Sequence, residues 1–240
     1  MERLHFMAKT PLGRLDLSAF GMLELPRLER GVLDAFRALG DLTGTTSDAL
    51  DECRIAGVVP ASSLRPADPA ARVVGQAITV LNTSVQAFSS KTSGLADIEA
   101  HNLAEPGDVL VVQGIANVSS MGGVSASVGK RQGEAGAIVD GAVRDIDHSR
   151  KIGYPVWCSS VSPVTGKWRI RTVAINRPVS IAGVTVRPGD LVIADEVGVC
   201  FVPFERAAEV LAVAQRLAQR EDDRLAKLAS GLALKDWIKL

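Results

Sequence analysis

Apolar positions change their period along the chain, and the changes mark out its elements. Leu28, Val32, Leu33, Phe36 and Leu39 recur at helical spacing and predict a helix over 26–40, with Gly40 as its stop. Thr45-Thr46-Ser47-Asp48-Ala49-Leu50 offers a capped short helix, and Pro60 and Pro66 then mark a loop. From about residue 72 the pattern turns to β. Residues 73–80, 109–112, 137–139 and 155–158 read as strands, most of them Val-rich. Residues 118–131 read as a helix. Residues 179–202 hold short strands broken by Gly183, Pro188-Gly189-Asp190 and Gly198. A long helix follows over about 205–228, with Val210, Leu211, Ala214 and Leu217 on its core face and Arg and Glu side chains toward water. Residues 1–25 carry Pro11 and show no period, so they read as an N-terminal extension to a single domain over 26–240.

Pro106-Gly-Asp-Val-Leu-Val-Val112 echoes Pro188-Gly-Asp-Leu-Val-Ile-Ala194. Pro-Gly-Asp is turn chemistry leading into a buried strand, and two such units suggest stacked β layers. Three or four substantial helices are too few for an eightfold barrel. The expected fold class is therefore α/β: a layered β/β/α domain with a helical N-terminal arm and a long C-terminal helix.

Composition sharpens this picture. Aromatics are only 4% of a chain that is 47% hydrophobic, so the core must be mainly Val, Leu, Ile and Ala, as in Val-rich sheets covered by helices. Lys plus Arg equal Asp plus Glu at 27 each, which gives nucleic-acid binding no electrostatic support. No apolar run of about 18 residues predicts a membrane span. Arg3, His5 and Lys9 interrupt any signal-like stretch, so a cytoplasmic protein is expected. Cys53, Cys158 and Cys200 lack metal-ligand or CxxC spacing and read as buried reduced thiols.

The chemistry concentrates between Gly122 and Asp145. Gly122 and Gly123 let a ligand approach the backbone closely, and free N–H groups at a helix start suit a carboxylate. The strand over 137–139 ends at Asp140-Gly-Ala-Val-Arg-Asp145, and the chain's return can place that end beside the glycine pair. Arg144 then offers a forked cation to an oxygen that becomes negative during reaction. Asp145 offers a hard oxygen ligand to a magnesium ion, whose remaining ligands are commonly waters and substrate oxygens. Together these would stabilise an enolate. Lys130 and Lys151 read as surface charges rather than Schiff-base lysines. His101 and His148 remain candidate proton carriers, without a second histidine at metal-ligand spacing. Asp140 and Asp195-Glu196 fit turn chemistry as well as catalysis.

Gly122-Gly-Val-x-Ala126 and Gly133-x-x-Gly136-x-x-Val139-Asp-Gly-Ala-Val-Arg-Asp145 resemble the family of regulator-of-ribonuclease-E-activity-A-like (RraA-like) proteins and 4-hydroxy-4-methyl-2-oxoglutarate aldolases. The likeness continues in Gly153-Tyr-Pro-Val156, Ile181-Ala-Gly-Val184 and Val186-x-Pro-Gly-Asp-Leu-Val-Ile-Ala-Asp195, and covers roughly residues 40–225. It implies a swivelling, phosphohistidine-domain-like fold that assembles as a homotrimer or a pair of trimers. It also implies a class II aldolase using Mg2+ or Mn2+. Such enzymes cleave 4-hydroxy-2-oxo acids to pyruvate plus a second oxo-acid and decarboxylate oxaloacetate. By position, Arg144 would hold the oxo or enolate oxygen and Asp145 the metal. The amides of Gly122, Gly123 and Val124 would hold the pyruvyl carboxylate. A glutamate on the C-terminal helix of a neighbouring subunit would complete the metal site; Glu221 is the position chosen for it, with Glu209 and Asp222 as alternatives. The family often carries Asp or Glu where this chain has Gly123. The other expectation from the resemblance is a non-catalytic regulator that binds a ribonuclease E-type partner. No strand, Gly-rich loop and helix with an acidic partner supports a nucleotide-dependent methyltransferase.

Overall fold

The computed structural model describes residues 9–88, 92–231 and 233–237. In chain order the elements are α1 (Arg30–Arg37), α2 (Leu42–Glu52), β1 (Val58–Pro60), β2 (Arg65–Pro66), β3 (Val73–Ser84), α3 (Asp97–Leu103), β4 (Val109–Gln113), β5 (Ser119–Met121), α4 (Gly123–Gln132), β6 (Gly136–Val143), α5 (Ile146–Lys151) and β7 (Val156–Val161). There follow β8 (Ile170–Ile175), β9 (Val179–Ile181), β10 (Val184–Val186), β11 (Leu191–Ala194), β12 (Gly198–Val202), α6 (Ala207–Ala229) and α7 (Leu234–Trp237).

The backbone of the fold is one sheet in the order β1-β12-β11-β3-β4-β6-β7-β2. The long strand β3 joins its two parts. Residues 73–76 pair antiparallel with β11, and residues 77–81 pair parallel with β4. β6 and β7 extend the parallel part. Val73, Ala77, Val109, Val111, Ile138 and Trp157 from one side meet Val179, Ile181, Val192, Val199 and Phe201 from the other in a core between two β layers. Trp157 Nε1–H donates to Asp195 O at 2.8 Å across this core. Strands buried on both faces explain the Val-rich runs.

Helices cover both outer faces. Ala100, Leu103 and Ala126 of α3 and α4 pack on the parallel strands, with Ile146 of α5 against the same cluster. Phe36, Leu42, Leu50, Val210 and Ala214 of α1, α2 and α6 pack on β11 and β12. The β/β/α layering is thus present, closed on its far side by the N-terminal helices and the 23-residue α6. No helix among the described residues is long and apolar enough to cross a membrane.

The two Pro-Gly-Asp units form matching turns. Asp108 and Asp190 each accept the N–H of the residue three back, Glu105 and Arg187, at 2.8 and 2.7 Å. Gly107 and Gly189 adopt φ of +92° and +87°, as a turn glycine after proline requires. Their strands β4 and β11 then flank β3 on its two sides.

Two sequence expectations change. Residues 118–131 do not make one helix, because Ser119–Met121 is the strand β5, and α4 begins only at Gly123. The backbone of β5 finds partners along the end of β6, where Ser119 faces Ala142 and Met121 faces Val143. β6 itself runs past Asp140 to Val143. Residues 9–25 are irregular but pack onto the domain. Phe20 and Leu25 are buried in the core, and Gly21 N–H donates to Ile175 O at 3.0 Å. The first eight residues of the expected extension lie outside the described residues.

Candidate active site

The parallel strands β3, β4 and β6 run in sequence order with α3 and α4 between them. In such units ligands collect at the carboxyl ends of the strands. Here that edge is built by the end of β6, the end of β5 and the start of α4. Arg144 N–H donates to Met121 O at 3.0 Å, which fixes the residue after β6 beside Gly122. The return of the chain therefore brings the glycine pair to Arg144-Asp145, as the spacing suggested.

The corner is tight. Asp145 Oδ2 accepts the Gly123 N–H at 2.9 Å, and Arg144 Nε lies 3.5 Å from the same oxygen. Asp145 adopts φ +55°, a left-handed conformation uncommon outside glycine, as it leads into α5. Both side chains remain nearly half exposed, at 44% and 47%. Gly122 has no room for a side chain, since a Cβ there would lie 2.9 Å from Arg144 Nε and 3.0 Å from Asp145 Oδ2. The amide of Gly123, expected to hold a substrate carboxylate, is thus engaged by the chain's own Asp145. The first intrahelical bond of α4 is Ala126 N–H to Gly122 O at 3.0 Å. Val124 N–H and Ser125 N–H precede it, in the turn where helix amides lack intrahelical acceptors.

Arg144, Gly122 and Val124 line a cavity of about 770 Å³. Its other charged lining residues are Arg14, Lys167 and Asp97, so three cationic residues and one carboxylate line it, with the Lys167 ammonium 4.9 Å from the centre of the Trp168 ring. Arg14 comes from the N-terminal arm. Glu99, fully buried at the start of α3, accepts the N–H groups of Leu12 at 2.7 Å and Arg14 at 2.5 Å and pins the arm at the rim. Sequence reasoning missed both Arg14 and Lys167, which lie 130 and 23 residues from Arg144 and carry no motif.

A buried polar chain reaches the cavity wall. Ser125 Oγ lies 2.8 Å from His101 Nε2, and His101 Nδ1 lies 2.7 Å from Glu134 Oε1. Tyr154 O–H donates to Glu134 Oε2 at 2.5 Å. His101 is 1% exposed. Burial pulls its pKa down, but the hydrogen bond and charge of Glu134, aided by Asp97, outweigh burial and raise it above 6.5.

Other candidates resolve into structural roles. Lys130 Nζ donates to Gly153 O, and Asp140 Oδ2 accepts Ala182 N–H at 2.7 Å. Asp195 accepts Thr43 N–H, Thr43 O–H and Val197 N–H. His148 Nε2 meets Ser127 Oγ at 2.8 Å on the outer side of α4. The cysteines are free, and burial pushes the Cys200 thiol up to about 12.

A family model described as RraA-like, aldolase/RraA, matches residues 43–201. The chain belongs to the RraA-like family. A relative from Halalkalibacterium halodurans, described as a putative 4-hydroxy-4-methyl-2-oxoglutarate aldolase, is 34% identical over 184 residues, covering 75% of this chain and 81% of its own. Protein DlpA of Legionella pneumophila is 30% identical over 197 residues. That match takes in 79% of this chain but only 30% of DlpA. Streptomyces coelicolor RraAS2, described as an unusual member of the RNase ES inhibitor RraA family, superposes with a TM-score of 0.72 at 29% identity, over 83% of this chain and 98% of its own.

Within this RraA-like chain, Glu221 stands apart from the Arg144-Asp145 corner. It lines a hollow with Asp41, Asp48, Arg220 and Arg224 on the face covered by α2 and α6. The β layers lie between that face and the one carrying α4 and α5. No group of three or more His, Cys, Asp or Glu side chains able to hold a metal occurs among the described residues. The donors that do occur are hard oxygens. Asp145 and Asp147 line a common hollow, and Asp145 Oδ1 is outside the bond to Gly123. One or two carboxylates with water and substrate oxygens fit Mg2+ or Mn2+.

Proposed function

We propose that the protein is a divalent-metal-dependent lyase that cleaves a 4-hydroxy-2-oxo acid to pyruvate and a second oxo-acid, and decarboxylates oxaloacetate. The observation that carries this reading is the shared cavity of Arg144, Gly122 and Val124, with Arg14 and Lys167 on its walls. Such a lining attracts a small dianion. The 2-oxo-acid end would lie against Arg144, with the unpaired amides of Val124 and Ser125 toward its carboxylate. Arg14 and Lys167 would take the distal carboxylate. Relatives described as putative aldolases support the same chemistry.

Arg144 has the decisive task. As the C3–C4 bond breaks, the C2 carbonyl oxygen gains negative charge, and a guanidinium fixed beside it favours the transition state over the ground state. Asp145, aided by Asp147, would hold Mg2+ or Mn2+, which when bound supplies Lewis-acid polarisation of the 2-oxo group. Asp145 also holds Arg144 and the start of α4 in one arrangement through its Oδ2 contacts. The reading includes a homotrimer or a pair of trimers, in which Glu221 of one copy would complete the metal's surroundings on the next. The separation of Glu221 from Asp145 within one chain is what makes a second copy necessary.

The test is pyruvate release from 4-hydroxy-4-methyl-2-oxoglutarate and from oxaloacetate with added Mg2+. Arg144→Ala is expected to lower kcat/KM by about 100-fold or more, and Asp145→Ala to remove the dependence on metal. Turnover no faster than metal alone, or full activity in Arg144→Ala, would sink the proposal.

A second reading is a non-catalytic regulator that binds a ribonuclease E-type partner. Gly123 favours it, because the side chain next to Asp145 that the family often supplies as an acid is missing. Binding to a ribonuclease of that type by a protein without lyase turnover would decide for it.

A further inference from the structure

Carbon–carbon cleavage leaves one task unassigned at this site. The C4 hydroxyl must lose a proton, and C3 of the resulting enolate must gain one. A guanidinium stays a cation throughout, so Arg144 can neither take the C4 proton nor supply the one at C3, and Asp145 is tied to the Gly123 amide and to Arg144.

We propose that Ser125, backed by His101 and Glu134, is the proton-transfer group of the cavity, acting on the C4 hydroxyl and then on C3 of a 4-hydroxy-2-oxo acid. This rests on the lyase reading above and deepens it. Ser125 and His101 line the same cavity as Arg144 and Gly122. The contacts run in one line from that cavity into the core, from Ser125 Oγ to His101 Nε2 at 2.8 Å and from His101 Nδ1 to Glu134 Oε1 at 2.7 Å. The Glu134 carboxyl is fully buried, and its second oxygen receives the Tyr154 hydroxyl. That arrangement fixes the tautomer. Glu134 can only accept, so Nδ1 carries hydrogen, and in the neutral ring Nε2 is free to take the Ser125 proton. The partners come from three segments: α3, the first turn of α4, and the loop between α4 and β6.

The step balances within substrate and protein. The C4 hydroxyl gives its proton to Ser125 Oγ as Ser125 passes its own to His101 Nε2. The C4–O electrons form the new carbonyl, and the C3–C4 electron pair moves into the C2–C3 enolate facing Arg144. After the second oxo-acid departs, the relay runs backwards. Ser125 protonates C3, which becomes the methyl group of pyruvate, and recovers its hydrogen from His101. Ser125 is the catalytic residue; His101 and Glu134 act through it.

Loss of CO2 from oxaloacetate takes no proton from the substrate, and enolpyruvate that leaves the site is protonated by water, so CO2 release reports on the site without the first step of the relay. The variant of choice is Ser125→Val, which fills the hydroxyl's space and keeps water from replacing it. With Mg2+ present, kcat for aldol cleavage is expected to fall by about 100-fold, with KM within about threefold, whereas CO2 release from oxaloacetate, which needs no proton removed from the substrate, should fall far less. Exchange of the pyruvate methyl protons with D2O, followed by proton NMR, should fall in parallel with aldol cleavage. The acid limb of kcat/KM in the parent should lie above pH 6.5, because His101 must be neutral to accept. The groups facing His101 are Glu134, Asp97 and Ser125, with Tyr154 behind Glu134 and Arg14, Lys167 and Arg144 around the shared cavity. Ser125→Val should lose that limb in its residual activity. Aldol cleavage within threefold of the parent in Ser125→Val overturns the relay and leaves the lyase reading intact. An equal loss in both reactions overturns it in favour of a packing role. A parent protein without either activity overturns both readings.

Discussion

A single methyl group is enough to disturb the corner where Arg144 and Asp145 meet. Gly122→Ala would place a Cβ 2.9 Å from Arg144 Nε and 3.0 Å from Asp145 Oδ2, and both side chains would have to give way. Gly123→Ala meets nothing nearer than His148 Cδ2 at 3.1 Å. Pyruvate-release kinetics should therefore rank the two, with Gly122→Ala losing most of kcat/KM and Gly123→Ala much less, while their melting temperatures stay close. The reverse ranking would mean that the substrate does not use Arg144 in its present position. At this scale the sequence was readable where residues are neighbours. Arg144 and Asp145 are adjacent, and the glycine pair announces a close approach. Ser125, His101 and Glu134 were not readable as a group, because their contacts span 24 and 33 residues and depend on how α3 meets α4.

Elements were legible by period and misread where pairing, not period, decides. The Val-rich strands and α6 follow their hydrophobic patterns closely. β5 does not, because three residues of Ser119-Ser-Met carry no alternation and become a strand through the free edge of β6. α2 was expected from its capping residues, yet its cap is Asp41, whose side chain accepts Gly44 N–H, and its first turn is also held by Asp195. Asp195→Ala would strand the N–H and O–H of the buried Thr43, at a cost of about 2–3 kcal/mol in denaturant unfolding. The packing of α3 on α4 has its own signature in pH. His101 has a folded pKa above 6.5, so its contribution to stability is complete below that value and is lost as pH rises through the folded one. The stability difference between the parent and His101→Gln, measured by urea unfolding from pH 6 to 9, should accordingly shrink as pH rises. A difference that grows with pH would mean that His101 is held neutral.

Across the whole molecule, the residues without a period turn out to close the site. The chain from 9 to 25 leaves Phe20 and Leu25 in the core and lays Leu12 and Arg14 over the cavity rim, where the carboxyl of Glu99 holds their two amides. Nothing in composition or spacing shows such a clamp, since backbone N–H groups of an irregular arm leave no mark in the side-chain pattern. The clamp makes arm and active site separable. Glu99→Ala removes both acceptors from the arm but none from Arg144, Asp145 or Ser125. The arm should then leave the rim and take Arg14 with it. KM for a dicarboxylate substrate is expected to rise about tenfold, close to the effect of Arg14→Ala, with kcat little changed, as for lost binding that substrate and transition state share equally. Combining the two substitutions should add almost nothing to either, because both remove the same cation. Limited proteolysis should cut Glu99→Ala after Arg14 faster than the parent. If instead the two effects multiply, Arg14 reaches the substrate without help from the clamp, and the arm is held by its other contacts, among them buried Phe20 and Leu25 and the Asn102 bond to Thr10 O.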